Sequence, residues 1–148
     1  MMYMHQEKPF FACACTMLRK ATRAVARAYD EALAGHGMTT AQFAILRHVA
    51  RGEPLALSRL AEQLEMDRTS LYRALAPIEK QGWVTVKPGD GRTKQATLTP
   101  AGRAALAAAE PDWEAVQGRV EDGMGMELLR GLDLALRKLV QSAEGVRA

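Results

Sequence analysis

The run Ser58-Arg59-Leu60-Ala61-Glu62-Gln63-Leu64-Glu65-Met66-Asp67-Arg68-Thr69-Ser70-Leu71-Tyr72-Arg73 reads as two short helices joined by a tight connection. Ser58 stands where an N-cap would, and Leu60, Ala61 and Leu64 form the apolar stripe of a helix packed on one side. After Glu65-Met66, Asp67 is a second N-cap, its carboxylate set to accept N–H groups that a first helical turn leaves without partners. Leu71, Leu75 and Ile78 give this second helix a buried face, so Arg68, Thr69, Ser70, Tyr72 and Arg73 look outward at its start. A merely solvated helix more usually carries Glu/Lys pairs there.

Downstream, Gly82 fits the position just past a helix end. Trp83–Lys87 and Thr93–Leu98 then carry β-favouring residues around the turn Pro88-Gly89-Asp90-Gly91-Arg92. This hairpin is a wing: Lys87, Arg92 and Lys94 can reach phosphates or a minor groove, with Asp90 pairing with Arg92 to fix the tip. Upstream, Leu55-Ala56-Leu57 is the short strand that completes a three-stranded sheet. Two helices plus a wing predict a winged helix-turn-helix whose second helix reads base edges from its N-terminal turns. Pro77 is a departure, since it removes one backbone bond and is expected to bend or shorten that helix.

At these positions the chain resembles the MarR family of bacterial transcription regulators. The likeness rests on Leu60-Ala61, Asp67-Arg68-Thr69-Ser70, Glu79-Lys80-Gln81-Gly82-Trp83-Val84, Asp90-Gly91-Arg92 and Leu98-Thr99-Pro100-Ala101-Gly102, and Met38 to Leu46 adds to it. Order and spacing together make the match specific. The resemblance implies that the first helix and the last two interlock across a twofold axis, that DNA is bound by a homodimer, and that small aromatic or lipophilic effectors bind between the helical dimer and the wings.

Length and composition agree with a helical protein of one domain. The chain has 148 residues, 48% of them hydrophobic and 25% charged, with few aromatics. Its net charge of +3 is unevenly spread: residues 38–103 hold ten Lys/Arg against six Asp/Glu, whereas residues 104–148 hold five against eight. The basic part coincides with the expected DNA reader. No stretch reaches the roughly 18 apolar residues of a membrane span. Two cysteines near the N-terminus cannot staple a fold, and a reducing cytoplasm is the expected home. Phosphate-binding Gly loops, nucleophile elbows and His/carboxylate constellations are lacking, so no enzyme, cofactor or metal is expected.

Along the chain, residues 1–9 read as an arm, and Thr16 as the N-cap of a helix from Met17 to Ala34 with Leu18, Ala21, Val25, Ala28 and Ala32 as its buried stripe. Lys20, Arg23 and Arg27 line another face, read as solvated. Gly35-His36-Gly37 breaks the helix, and Thr39 or Thr40 caps the next, which carries Phe43, Ile45, Leu46 and Val49 inward. Thr99-Pro100 starts a further helix that Pro111 must kink or interrupt. After Gly123 and Gly125, Leu129, Leu132, Leu136, Leu139 and Val140 make a narrow seam suited to a second chain.

The expected fold is mainly α with a small antiparallel β-wing: 1–37 as arm and dimerisation helix, 38–99 as winged helix-turn-helix, and 100–148 as C-terminal dimerisation helices. A twofold dimer sets its two reading helices roughly 34–36 Å apart, so the expected operator is a pseudo-palindrome. The function expected is a sequence-specific DNA-binding regulator that represses by occupying a promoter and leaves it on binding an effector, with Phe10, Phe11, Met17 and Trp113 lining the effector pocket. An activator would have the same sequence features. Cys13 and Cys15 open an alternative, a regulator that senses oxidants through a thiol just ahead of a helix with Arg19 and Lys20 nearby, against burial as small apolar residues. A Cys-x-Cys bridge would be strained, so any disulfide is expected between chains. From another class, a winged-helix module that docks on protein and never reads DNA remains open.

Overall fold

Capping chemistry sets where most helices begin in the computed structural model, which describes residues 13–147. Helix α1 (Ala14–Leu33) is capped by Cys13, whose sulfur accepts the Thr16 N–H at 3.3 Å, so Thr16 lies inside the helix and is not its cap. A 3-10 turn over Ala34–His36 and Gly37 at φ 69° turn the chain into α2 (Thr40–Gly52). There Thr39 and Gln42 form a reciprocal capping box, and Asp30 of α1 accepts the Thr40 N–H at 2.7 Å.

The short strand β1 (Leu55–Ala56) runs directly into α3 (Leu57–Gln63). Helix α3 therefore starts earlier than its sequence indicates: Ala56 holds the cap position, and Ser58 lies one residue inside with no capping bond. Asp67 does cap α4 (Arg68–Lys80), accepting the Ser70 N–H at 2.7 Å. Pro77 lies within α4 without shortening it, and Gly82 follows at φ 79° as the left-handed residue past the helix end. Strands β2 (Val84–Pro88) and β3 (Lys94–Leu98) form the hairpin, and the sheet order is β1-β3-β2, antiparallel throughout.

Helix α5 (Pro100–Met124), capped by Thr99, continues through Pro111, so of the kink or interruption expected there the interruption does not occur. One missing N–H in 25 residues is tolerated because Trp113, just beyond, stacks on Phe43 of α2 with ring centroids 5.4 Å apart and holds the second half in place. Gly125 at φ 78° separates α5 from α6 (Met126–Arg147).

The core lies where α2, α4 and the sheet meet. Phe43, Ile45, Leu46, Val49, Leu60, Leu71, Leu75, Ile78, Val84, Ala96 and Leu98 are all buried there. Each such large side chain contributes roughly 2 kcal/mol by leaving water. The expected buried stripe of α1 is a different matter: Leu18 and Val25 remain 37% and 52% exposed, because nothing among the described residues covers them fully. Helix α6 buries no residue at all among those described.

The hairpin is stitched to α5 at its base. Thr99 donates its N–H to the Trp83 carbonyl at 3.0 Å and its hydroxyl to the Gly82 carbonyl. Glu53 accepts the Leu98 N–H at 2.8 Å, in the place where β1 is too short to do so, and pairs with Arg103 of α5.

Candidate nucleic-acid interface

Because Leu71, Leu75 and Ile78 hold the inner face of α4, its opposite face is fixed outward, and Arg68, Thr69, Ser70, Tyr72 and Arg73 are all exposed on it. Asp67 orders this turn through both of its oxygens, one taking the Ser70 N–H and the other the Ser70 hydroxyl at 3.1 Å. These bonds hold the Asp67 carboxyl below its ordinary value, so it stays ionised. The Ser70 hydroxyl is thereby partly committed to the fold, whereas Thr69 and Arg73 make no side-chain hydrogen bond among the described residues.

Lys87, Arg92 and Lys94 are exposed along the wing. Among the described residues no carboxylate lies within ion-pair distance of them or of Arg68 and Arg73. The expected Asp90–Arg92 pair is therefore not formed. The tip is held instead by Thr93 and main-chain groups: the Asp90 carbonyl accepts the Thr93 hydroxyl at 2.8 Å, the Gly89 N–H donates to the Thr93 carbonyl at 2.8 Å, and Gly91 supplies φ 71°. A turn closed in this way needs no Asp90 carboxylate clasp, which leaves Arg92 without an ion-pair partner among the described residues.

Wing and helix face one another across a cleft of about 230 Å³ lined by Ser58, Arg68, Tyr72, Arg92, Thr93 and Lys94. The Lys94 ammonium lies 5.7 Å from the centre of the Tyr72 ring, a cation–π contact that ties the tip end of the wing to α4. Ser58 belongs to this surface although its sequence reading as a cap gave no sign of it; only the fold brings α3 beside the wing.

A second concavity, of about 530 Å³, opens between α1, α5 and α6. Its apolar wall includes Leu18, Val25, Trp113, Leu132 and Leu136. Its polar groups are Thr22, Tyr29, Thr40 and Gln117, the Tyr29 hydroxyl donating to Gln117 Oε1 at 2.5 Å while Gln117 donates to Glu121 at 2.9 Å. Burial, and secondarily the Glu121 charge, push the Tyr29 phenol above its ordinary value, so it remains a neutral donor. Of the residues expected to line an effector pocket, Trp113 does so; Met17 is 51% exposed and does not line this cavity, and Phe10 and Phe11 lie outside the described residues. Local sequence carried no sign of Tyr29 or Gln117 as pocket residues, since the cavity arises only from packing.

Cys13 and Cys15 are both free and exposed, so the reading as buried apolar residues does not hold. Hydrogen bonds from the Thr16 side chain and backbone lower the Cys13 thiol from its ordinary value. Among the described residues no group of three His, Cys, Asp or Glu is placed to hold a metal, and no helix is long and apolar enough to cross a membrane.

A helix with an exposed Arg/Thr/Ser/Tyr start beside a basic β-hairpin defines a winged helix-turn-helix protein. A sequence model described as MarR family matches residues 36–93. The chain is 37% identical to the Mycobacterium tuberculosis transcriptional regulator MosR, solved in complex with DNA, over 93% of this chain and 100% of that one, with a TM-score of 0.82. It is 36% identical to an uncharacterised HTH-type transcriptional regulator of Bacillus cereus strain ZK / E33L, the match spanning 63% of either protein. A mutant of MarR from E. coli complexed with operator DNA shares the fold at a TM-score of 0.75 and 21% identity, over 84% of this chain and 91% of that one. The chain belongs to the MarR family of transcriptional regulators, and the relatives it matches are regulators rather than enzymes.

Proposed function

We propose that the protein is a cytoplasmic repressor that binds a pseudo-palindromic operator as a homodimer and releases it when a small aromatic or lipophilic effector occupies the cavity between α1, α5 and α6. One observation carries the reading of DNA. Arg68, Arg73, Lys87, Arg92 and Lys94 are exposed along α4 and the wing with no carboxylate partner within the described residues, as a surface awaiting phosphates would be. Pairing with a second copy is supported by Leu18, Val25, Leu128, Leu132, Leu136 and Val140, all 37% exposed or more on the two end helices. Effector binding is supported by a mostly apolar cavity with a few polar groups in its wall, among them the Tyr29 phenol and the Gln117 amide.

The test is to select fragments of the source genome on the purified protein and follow the best one by fluorescence anisotropy across a salt series. Enrichment of an inverted repeat with half-sites about one helical turn apart, bound by a dimer with a steep negative salt slope, is expected. Weak binding blind to sequence would instead favour a module that docks on protein.

A second reading is favoured by the exposure of Cys13 and its bonds to Thr16. In it, peroxide oxidises the Cys13 thiolate to a sulfenic acid, releasing hydroxide, and condensation with a thiol of a second chain yields a disulfide and water. Cys13→Ser/Cys15→Ser protein that leaves DNA on peroxide treatment as readily as wild type would exclude it.

A further inference from the structure

An element in the major groove and another in the adjacent minor groove are separated by the sugar-phosphate ridge of one strand, and a protein that uses both must straddle that ridge. In this chain the space between the two elements is the cleft bounded by α4, the wing and the start of α3. Three cations, Arg68, Arg92 and Lys94, converge on it without a carboxylate within ion-pair distance among the described residues. Such an arrangement repels itself unless an anion enters.

The remaining polar group of note is Ser58. It is exposed, it does not cap α3, and its hydroxyl makes no hydrogen bond among the described residues. A side chain with no work in the fold, set at the edge of a cationic cleft, has one donor to offer. A hydroxyl donating to an oxyanion makes a short, charge-assisted bond that is stronger than a neutral one.

We propose that this cleft is a saddle for a single DNA backbone phosphodiester, with Ser58 donating its hydroxyl to a non-bridging oxygen while Arg68 and Lys94 neutralise the charge. Lys94 is held for this by its contact with the Tyr72 ring. The inference rests on the DNA-binding reading above and deepens it. The saddle carries no base information; it is the fixed point from which α4 and the wing take their common register on the duplex.

The experiment uses the full-length protein and its selected operator, with a neutral methylphosphonate placed at one backbone position at a time. Wild-type protein should lose about tenfold or more in affinity at one position per half-site, on the strand between the bases facing α4 and those facing the wing. Ser58→Ala should bind unmodified operator about tenfold more weakly and lose clearly less than wild type does from the methylphosphonate at that position, because both changes delete the hydroxyl bond while the charge facing Arg68 and Lys94 is lost to either protein. Ser58→Thr, which keeps a hydroxyl, should bind within about threefold of wild type. Thermal unfolding of Ser58→Ala should match wild type, which separates a lost contact from a lost fold.

The proposal is overturned if Ser58→Ala binds unmodified operator as wild type does, or if the penalties of variant and methylphosphonate multiply at every position. Either result with operator binding intact leaves the DNA-binding reading standing. A protein that selects no operator at all removes both.

Discussion

Gly102, in the first turn of α5, approaches Trp83 so closely that a Cβ added to it would stand 2.0 Å from the Trp83 carbonyl oxygen. The atom in the way is backbone, and it belongs to the residue that also takes the Thr99 N–H. Gly102→Ala must therefore push the hairpin base and α5 apart. A loss of about 1–3 kcal/mol is expected, read as a fall of several degrees in Tm, with weakened operator binding as the wing shifts. A variant that melts with wild type would show that this junction yields freely.

Glu53 joins three elements, accepting from Leu98 of β3 and pairing with Arg103 of α5 just after α2 ends. Glu53→Ala leaves the Leu98 N–H without its acceptor and should cost about 1–3 kcal/mol in urea unfolding. Glu53→Gln keeps an acceptor and should lose less. Equal losses would mean that the charge pair with Arg103, and not the strand bond, carries the effect.

Arg47 of α2 sets its guanidinium carbon 4.2 Å from the centre of the Trp113 ring, beside the Phe43 stack. Arg47→Met preserves the apolar stem and should destabilise by about 0.5–2 kcal/mol through the lost cation–π contact. Trp113→Ala empties the junction of α2 and α5 and should cost about 3 kcal/mol or more. If the double variant loses the sum of the two single losses, the pair does not interact.

Arg73→Ala with Arg92→Ala should weaken operator binding and flatten the dependence of log K on log salt by about one unit for each phosphate contact removed. Unchanged affinity and slope would exclude both residues from the DNA surface. Thermal unfolding should be unaffected, since both side chains are exposed and unpaired within the described residues.

Asp67 gives a pH signature. Its folded value lies below the ordinary 3.8 because the ionised form accepts the Ser70 bonds. A depressed folded value means stabilisation that is fully present above the unfolded value and is lost as pH falls through the folded one. The difference in Tm between wild type and Asp67→Asn should hence be flat near neutral pH and shrink in acid. A difference that grows as pH falls would contradict the capping role.

What could be read in the sequence was the chemistry that acts over three or four residues. Asp67, Gly82 and Thr99-Pro100 mark their helix ends because the bond donor and its acceptor lie within one turn. Thr16 and Ser58 misled for the same reason: each is a good cap by type, but α1 extends back to Cys13, and α3 begins straight out of β1. Pro111 reads as a kink or an interruption because its cost is local, while the packing of Trp113 that keeps the helix continuous is not. The outward face of α4 followed from helical period alone. The cleft beside Ser58, the Tyr29–Gln117 bond and the Arg47–Trp113 contact join residues far apart in the chain, and no spacing rule reports them.

The 25 residues of α5 make one helix of about 37 Å that continues through Pro111. Its near end is fastened to the wing base by Thr99, Gly102 and Arg103; its middle forms part of the cavity wall through Trp113 and Gln117. One continuous helix thus borders both the cavity and the hairpin base, so the two places share a single element with no loop between them.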